Sequence, residues 1–281
     1  MQSLWMIVAS LCFAGMGVCV KLASQFFSAT EVVFYRSAIS LAFVLVIVSV
    51  RGLSLRTPHW RFQLTRSLCG FTSLLCYFYA ISVLPLATAV TLNFTSPLFL
   101  ALFLIGFRKM ALRLTTMGAL ALGFAGVVLL LRPTFHADQL MGGMIGLASG
   151  VISGLAYYNV RELGELGETE ERTVFYFTFF STVGSGIWML MGEFHPLTLQ
   201  GLYLLVGVGG LATAGQLAMT RAYNRGNTMV SASLAYSTVV FSCLFGMVFW
   251  GDALSSGAWV AIGLIVASGL ASTWFSRAPL D

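Results

Sequence analysis

Ten apolar stretches, each long enough to cross a bilayer, follow one another along the 281-residue chain with only short polar breaks. A helix rises ~1.5 Å per residue, so ~20 residues span a hydrocarbon core of ~30 Å. In that medium the backbone has no water to bond, and a lone segment satisfies its own N–H and C=O groups only as a helix. The runs show no two-residue alternation of polarity, which excludes a β-barrel. Composition agrees: 9% of residues are charged, against about a quarter in a soluble domain, and mean hydropathy is +0.89. The expected fold is an all-α integral membrane protein. Its ten transmembrane helices lie near 3–23, 31–50, 64–83, 88–106, 114–131, 142–160, 173–191, 200–222, 229–250 and 256–275. The first run lacks a basic lead and a small-residue cleavage site, so it is expected to remain as a span.

The net charge of +5 is no nucleic-acid signature, because the positive residues sit in alternate loops. Arg51, Arg56 and Arg61, with Arg66 at the start of the third helix, form one group. Arg108, Lys109 and Arg113 form another, then Arg161 with Arg172, Arg221 with Arg225, and Arg277 in the tail. All fall on the side of the N-terminus, while Lys21 and Arg132 edge the other side. The positive-inside rule then places both termini in the cytoplasm, and an even number of spans agrees. The acidic run ELGELGETEE, 162–171, falls in a cytoplasmic loop and is expected to be a solvated turn. Cys12, Cys19, Cys69, Cys76 and Cys243 fall within spans, away from His or carboxylate partners. Small apolar packing is expected of them, not disulfides or metal binding.

The chain resembles itself at an offset near 140. VVFYR at 32–36 matches TVFYF at 173–177, and Gly118 of the fifth span matches Gly263 of the tenth. FYAISVLPLATAVTLNFTSPLF corresponds to TRAYNRGNTMVSASLAYSTVVF. Five spans per copy is an odd number, so the second copy enters the membrane from the opposite face. The expected domains are 1–135 and 136–281, two inverted five-helix repeats around a central cavity. That arrangement underlies alternating access in many secondary transporters.

FYRS at 34–37, FYAISVLPLATAVTLNFTSPLF at 78–99, GALALGFAGVVLLLRP at 118–133 and RAYNRGNTMVSASLAY at 221–236 together resemble the drug/metabolite transporter superfamily, specifically its ten-span EamA-type bacterial members. The resemblance covers essentially the whole chain. It implies a ten-helix basket in the cell inner membrane that moves small organic metabolites, with amino-acid and metabolite exporters the nearest in kind. S-adenosylmethionine or other nucleoside-like or drug-like solutes are the alternative cargo. No cofactor is implied, and the protein is expected to act as a monomer or weak homodimer. One departure is plain: where the family carries Gly-Glu after the fourth helix, this chain has Gly106, Phe107 and Arg108, while the second copy keeps Gly251 and Asp252.

Polar groups inside spans are expensive and mark function or helix pairing. Arg36, in TEVVFYRSAISLAFVLVIV, reads either as a fixed charge for an anionic group such as a substrate carboxylate, or as a tie to backbone carbonyls and to Lys21 and Glu31 at the same outer mouth. Asn93 precedes Pro97, which frees a carbonyl and bends the fourth helix. Gln216 would leave donors unpaired in lipid, so it faces the bundle, as substrate ligand or helix bridge. Tyr79 and Tyr157 lie deeper than an interfacial belt requires. With Phe13 and Tyr236 these complete the expected substrate-binding set: Phe13, Arg36, Tyr79, Asn93, Tyr157, Gln216 and Tyr236. Gly142, Gly146, Gly150 and Gly154 form a stripe for close helix packing, as do Gly210, Ala214 and Ala218, and Gly263, Ala267 and Ala271.

Rival classes find little support. His59, His136 and His195 fall in loops, and no GxSxG, HExxH or Walker A motif occurs, so neither an intramembrane enzyme nor an ATP-driven pump is expected. A channel would need rings of charges or carbonyls from an oligomer. With no carboxylate at the centre of a span, facilitated diffusion or exchange is expected in place of tight proton symport.

Overall fold

The computed structural model describes residues 2–110, 113–134, 139–190, 194–251 and 253–276, so His136, Asp252 and Arg277 lie outside it. Among the described residues the regular structure is helical, with no strand. A short 3-10 turn, Gln2–Leu4, leads into α1 (Trp5–Ala23), α2 (Ala29–Val50), α3 (Trp60–Val83), α4 (Leu86–Asn93), α5 (Ser96–Arg108) and α6 (Leu114–Leu131). Then follow α7 (Leu140–Glu165), α8 (Glu170–Met189), α9 (Leu199–Arg225), α10 (Thr228–Ala235), α11 (Ser237–Trp250) and α12 (Ser256–Phe275). With α4–α5 and α10–α11 each taken as one broken helix, nine units of the described chain are long and apolar enough to cross a membrane. The exception is α8. At 20 residues it is long enough, but Thr173, Thr178, Ser181, Thr182 and Ser185 dilute its apolar surface.

Side-chain caps fix where helices begin. Ser28 and Glu31 form a reciprocal capping box at α2. Thr169, Thr198, Asn227 and Ser255 each accept a backbone N–H at the starts of α8, α9, α10 and α12.

The two breaks are built alike. Pro97 has no N–H to offer the Asn93 carbonyl, and the chain turns at Phe94–Thr95 between α4 and α5. There the Thr95 hydroxyl donates to the Leu92 carbonyl at 2.6 Å. The second break falls at Tyr236 without a proline, and the Ser237 hydroxyl donates to the Leu234 carbonyl at 2.6 Å. α4 begins at Leu86 and α10 at Thr228, α6 at Leu114 and α12 at Ser256, an offset of ~142 residues.

The helix contacts come in matching pairs under that offset. α1 lies along α9 as α7 lies along α3; α2 on α9 matches α8 on α3; α5 on α7 matches α11 on α1; and α2–α8 and α6–α12 pair with their own counterparts. The contacts that lack a comparable counterpart gather mainly at α9 and α10: α7 and α8 touch α9 and α10 touches α5 and α6, but no comparable contact joins α1 or α2 to α3, or α4 to α11 or α12. The α7–α9 contact lies at their C-terminal ends, where the Tyr157 and Tyr223 rings stack at 5.2 Å and the Asn224 amide nitrogen donates to the Val160 carbonyl at 2.6 Å.

The glycine stripe of α7 is a true close-packing face. A Cβ on Gly142 would sit 2.7 Å from Val83, on Gly146 2.8 Å from Leu92, on Gly150 2.5 Å from the Leu92 carbonyl and on Gly154 2.9 Å from the Ser96 carbonyl. The other two stripes are displaced from their expected positions. In α9 the tight glycines are Gly209, against Ile39, and Gly215, against Phe13, and in α12 Gly263 faces open space. The small-residue spacing alone does not fix which neighbouring turn is covered.

The acidic run is not a solvated turn. Residues 162–165 extend α7, Glu170 and Glu171 open α8, and Glu162, Glu168, Glu170 and Glu171 are buried. Glu162 and Glu165 hold Arg108 and Arg161, Glu168 holds Arg172, Thr57 and Gln63, Glu170 holds Arg225, and Glu171 holds Arg51. Each carboxylate has cationic partners arriving from other helix ends, which is what lets it leave water. These ties gather the ends of α2, α5, α7, α8 and α9 and the start of α3 on one face of the bundle, called here the basic face. On the opposite face Glu31 is fully buried and accepts from the His195 backbone N at 2.7 Å and pairs with its Nδ1 at 2.8 Å. Lys21 lies 3.8 Å over the Trp250 ring. The expected Lys21–Glu31–Arg36 cluster therefore does not form.

Candidate functional site

The interior of the bundle holds a polar and aromatic centre. α3 begins at Trp60 and not near residue 64, so Arg66 lies two turns inside the helix and is only 2% exposed. Its guanidinium is held flat between Gly70 and the Phe177 ring of α8. The ring centroid is 4.3 Å away, and a Cβ on Gly70 would collide with Nη1 and sit 2.9 Å from Phe177. Nη2 donates to the Gln216 Oε1 of α9 at 3.4 Å. Nε and Nη1 are buried without a partner.

A line of tyrosines leads away from this charge. Tyr157 of α7 is close enough to Arg66 to interact with it electrostatically, and Tyr223 does so with both Tyr157 and Tyr236. Gln216, Thr220 and Tyr223 recur at helical spacing on one face of α9. The hydroxyls of Thr220, Tyr223 and Tyr236 are buried without partners as well. Phe13 packs on Gly215, next to Gln216, with its ring 2.7 Å from where a Cβ would be. Phe94 and Phe124 lie 6.3 and 6.4 Å from the Tyr236 ring. The described carboxylates all lie at the faces: Glu31 on one, and Glu162, Glu165, Glu168, Glu170 and Glu171 on the other.

A buried charge with no counter-ion costs several kcal/mol, and a desolvated cation–π contact returns about 2 kcal/mol of that. Unsatisfied buried donors of this number call for an occupant. The arrangement can bind an anionic group at the guanidinium, donate hydrogen bonds from tyrosine hydroxyls and cover an apolar body with aromatic rings.

Of the seven residues expected from sequence, the structure gathers Phe13, Tyr157, Gln216 and Tyr236 around this centre. Asn93 ends α4 and donates from Nδ2 to Ser149 of α7 at 3.2 Å, in the seam beside the centre. Arg36 is half-buried and its Nε faces Met16 Sδ at 3.4 Å. Tyr79 is 44% exposed and lies 13 residues along α3 from Arg66, ~20 Å away. Sequence reasoning assigned Arg66 to a basic loop group and omitted Tyr223 altogether. The signal for Arg66 was a glycine four residues on, at Gly70, which leaves room on the helix face that the guanidinium covers.

A helical membrane bundle with a buried polar and aromatic centre is the architecture of a multi-pass transporter, and comparison with known proteins makes this specific. Residues 1–132 match the EamA-like transporter family. A pseudopaline exporter of Pseudomonas aeruginosa is 30% identical over 268 residues, 93% of this chain and 94% of that one. An uncharacterised transporter of Helicobacter pylori is 28% identical over 94% of this chain and 91% of its own. A riboflavin transporter of Rhizobium johnstonii is 24% identical over 95% and 89%. A solved crystal structure shares the fold with a TM-score of 0.88 at 20% identity over 99% of both chains. The chain belongs to the EamA-like transporter family and is a multi-pass membrane transporter.

Proposed function

We propose that this protein is a secondary carrier that exports small organic metabolites, amino acids or related amphipathic solutes, across a bacterial inner membrane by alternating access. In this reading both termini are cytoplasmic, and the segments 1–135 and 136–281 are ten spans' worth of inverted copies, α8 included. One observation carries the proposal: most helix contacts are paired between the halves, but α7 and α8 close on α9 while α1 and α2 make no comparable contact with α3. Inverted copies exchange their conformations as a carrier cycles, so each state closes one such pair and opens the other. The state seen is sealed at the basic face, the cytoplasmic side by the positive-inside rule. Export is favoured by the likeness to the Pseudomonas exporter. Facilitated diffusion or exchange is favoured because no described helix carries a carboxylate in its middle.

Paired cysteines test the cycle, in protein whose five native cysteines are replaced. Val160→Cys with Asn224→Cys reports the sealed α7–α9 contact. Val18→Cys with Ser82→Cys occupies the corresponding positions of α1 and α3. The first pair is expected to cross-link in the resting protein, the second only in molecules where the first is reduced and open. Either bond is expected to stop counterflow in proteoliposomes. Both bonds in one active molecule, or unchanged flux with either, would reject the carrier mechanism.

A further inference from the structure

We propose that Arg66 docks a carboxylate of the transported solute, which makes organic acids and zwitterions the substrate class and sets neutral and purely cationic solutes aside. The inference rests on the carrier reading for the solute's passage, and on the setting of Arg66 for its chemistry. A guanidinium offers five N–H donors in a planar fork that matches a carboxylate. Here one nitrogen alone has a partner, the neutral Gln216 Oε1 at 3.4 Å, and Nε and Nη1 have none. A residue 2% exposed cannot satisfy them with bulk water. A structural arginine in a membrane bundle is tied to carboxylates or carbonyls, as Arg108, Arg161 and Arg172 are here. Arg66 is held by shape instead. Gly70 leaves the space and Phe177 backs the plane, which orients the fork while leaving its donors unused. Tyr157 lies beside Arg66 and stacks on Tyr223, and the hydroxyls of Tyr223 and Tyr236 are further donors without partners in the same interior. Arg36, which the sequence left open between an anion site and a structural tie, is less buried and already shares its Nε with Met16.

The test is a thermal-shift titration of the purified full-length protein with matched probes: benzoate against benzamide, and phenylalanine against phenylalaninamide, with chloride and inorganic phosphate as further arms. At least one carboxylate is expected to stabilise the wild type at a concentration at least about tenfold below its amide. Arg66→Gln is expected to erase that difference and to leave the ligand-free Tm unchanged or higher, since an unpaired buried charge is gone. Arg66→Lys, which keeps the charge but loses the planar fork, and Gly70→Ala, which displaces Nη1, are expected to lose most of the preference. Four results would overturn the assignment: no probe binding; equal binding of acid and amide; chloride or phosphate binding as well as the carboxylates; or a preference that survives in the lysine and alanine variants. A lowered ligand-free Tm in Arg66→Gln would mark the residue as a structural strut and also overturn it. Binding is read without transport, so a failed counterflow assay would reject the carrier mechanism and leave this result standing.

Discussion

Tyr236 is fully buried at the break between α10 and α11, yet its hydroxyl has no hydrogen-bond partner. An unsatisfied buried hydroxyl costs about 1–3 kcal/mol. Tyr236→Phe is therefore expected to leave the ligand-free protein as stable as the wild type or up to ~2 kcal/mol more stable, while transport of an accepted solute falls several-fold. Thermal unfolding and proteoliposome flux on the same preparation check the two halves of that statement. Single residues were unevenly legible. Arg36 drew notice because it stands amid an unbroken apolar run, which is a one-dimensional property. Arg66 looked like the last member of a loop cluster because its helix starts at Trp60, a boundary that polar Arg61, Gln63 and Thr65 obscure. The ring contacts of Tyr157 with Tyr223, and of Tyr236 with Phe94 and Phe124, join different elements, and no local pattern encodes them.

The glycines divide helices into faces that tolerate a side chain and faces that do not. A Cβ on Gly150 would meet the Leu92 carbonyl at 2.5 Å, whereas Gly118 and Gly263 have nothing within 4 Å. Gly150→Ala is expected to cost about 1–3 kcal/mol through overpacking. Gly263→Ala is expected to be neutral or to add up to ~1 kcal/mol through helix propensity. Unfolding of the two variants in the same detergent separates them. The α7 stripe was readable because four glycines at one spacing leave a single face. The shorter stripes of α9 and α12 were misplaced because neighbouring glycines, Gly209 and Gly215 among them, compete for the same contacts. Breaks in the spans were legible where proline marks them, at Pro97. The matching break at Tyr236 came from tertiary packing, with a hydroxyl donating to the carbonyl three residues back in both places.

At the scale of the whole molecule, the acids of the basic face hold the ends of six helices together. Replacing one partner of a buried ion pair is far costlier than replacing an exposed one. Glu168→Gln, which loses Arg172 and weakens Thr57 and Gln63, is expected to loosen that hold. The Val160–Asn224 cysteine pair would then cross-link at least severalfold more slowly, while an exposed control, Arg56→Gln, leaves its rate unchanged. α8 carries a different consequence. It is the described helix too polar to count as a span by itself, and it packs along α2 and α3 of the first half. Partitioning from the insertion machinery into lipid depends on a segment's own apolarity, so α8 is expected to enter only once α2 and α3 are there to cover its face of Thr178, Ser181 and Ser185. Biogenesis thus has an order built in: residues 136–281 synthesised alone would strand α8 outside the bilayer, and supplying 1–135 as a separate chain would draw it in, a rescue that glycosylation-site mapping would record.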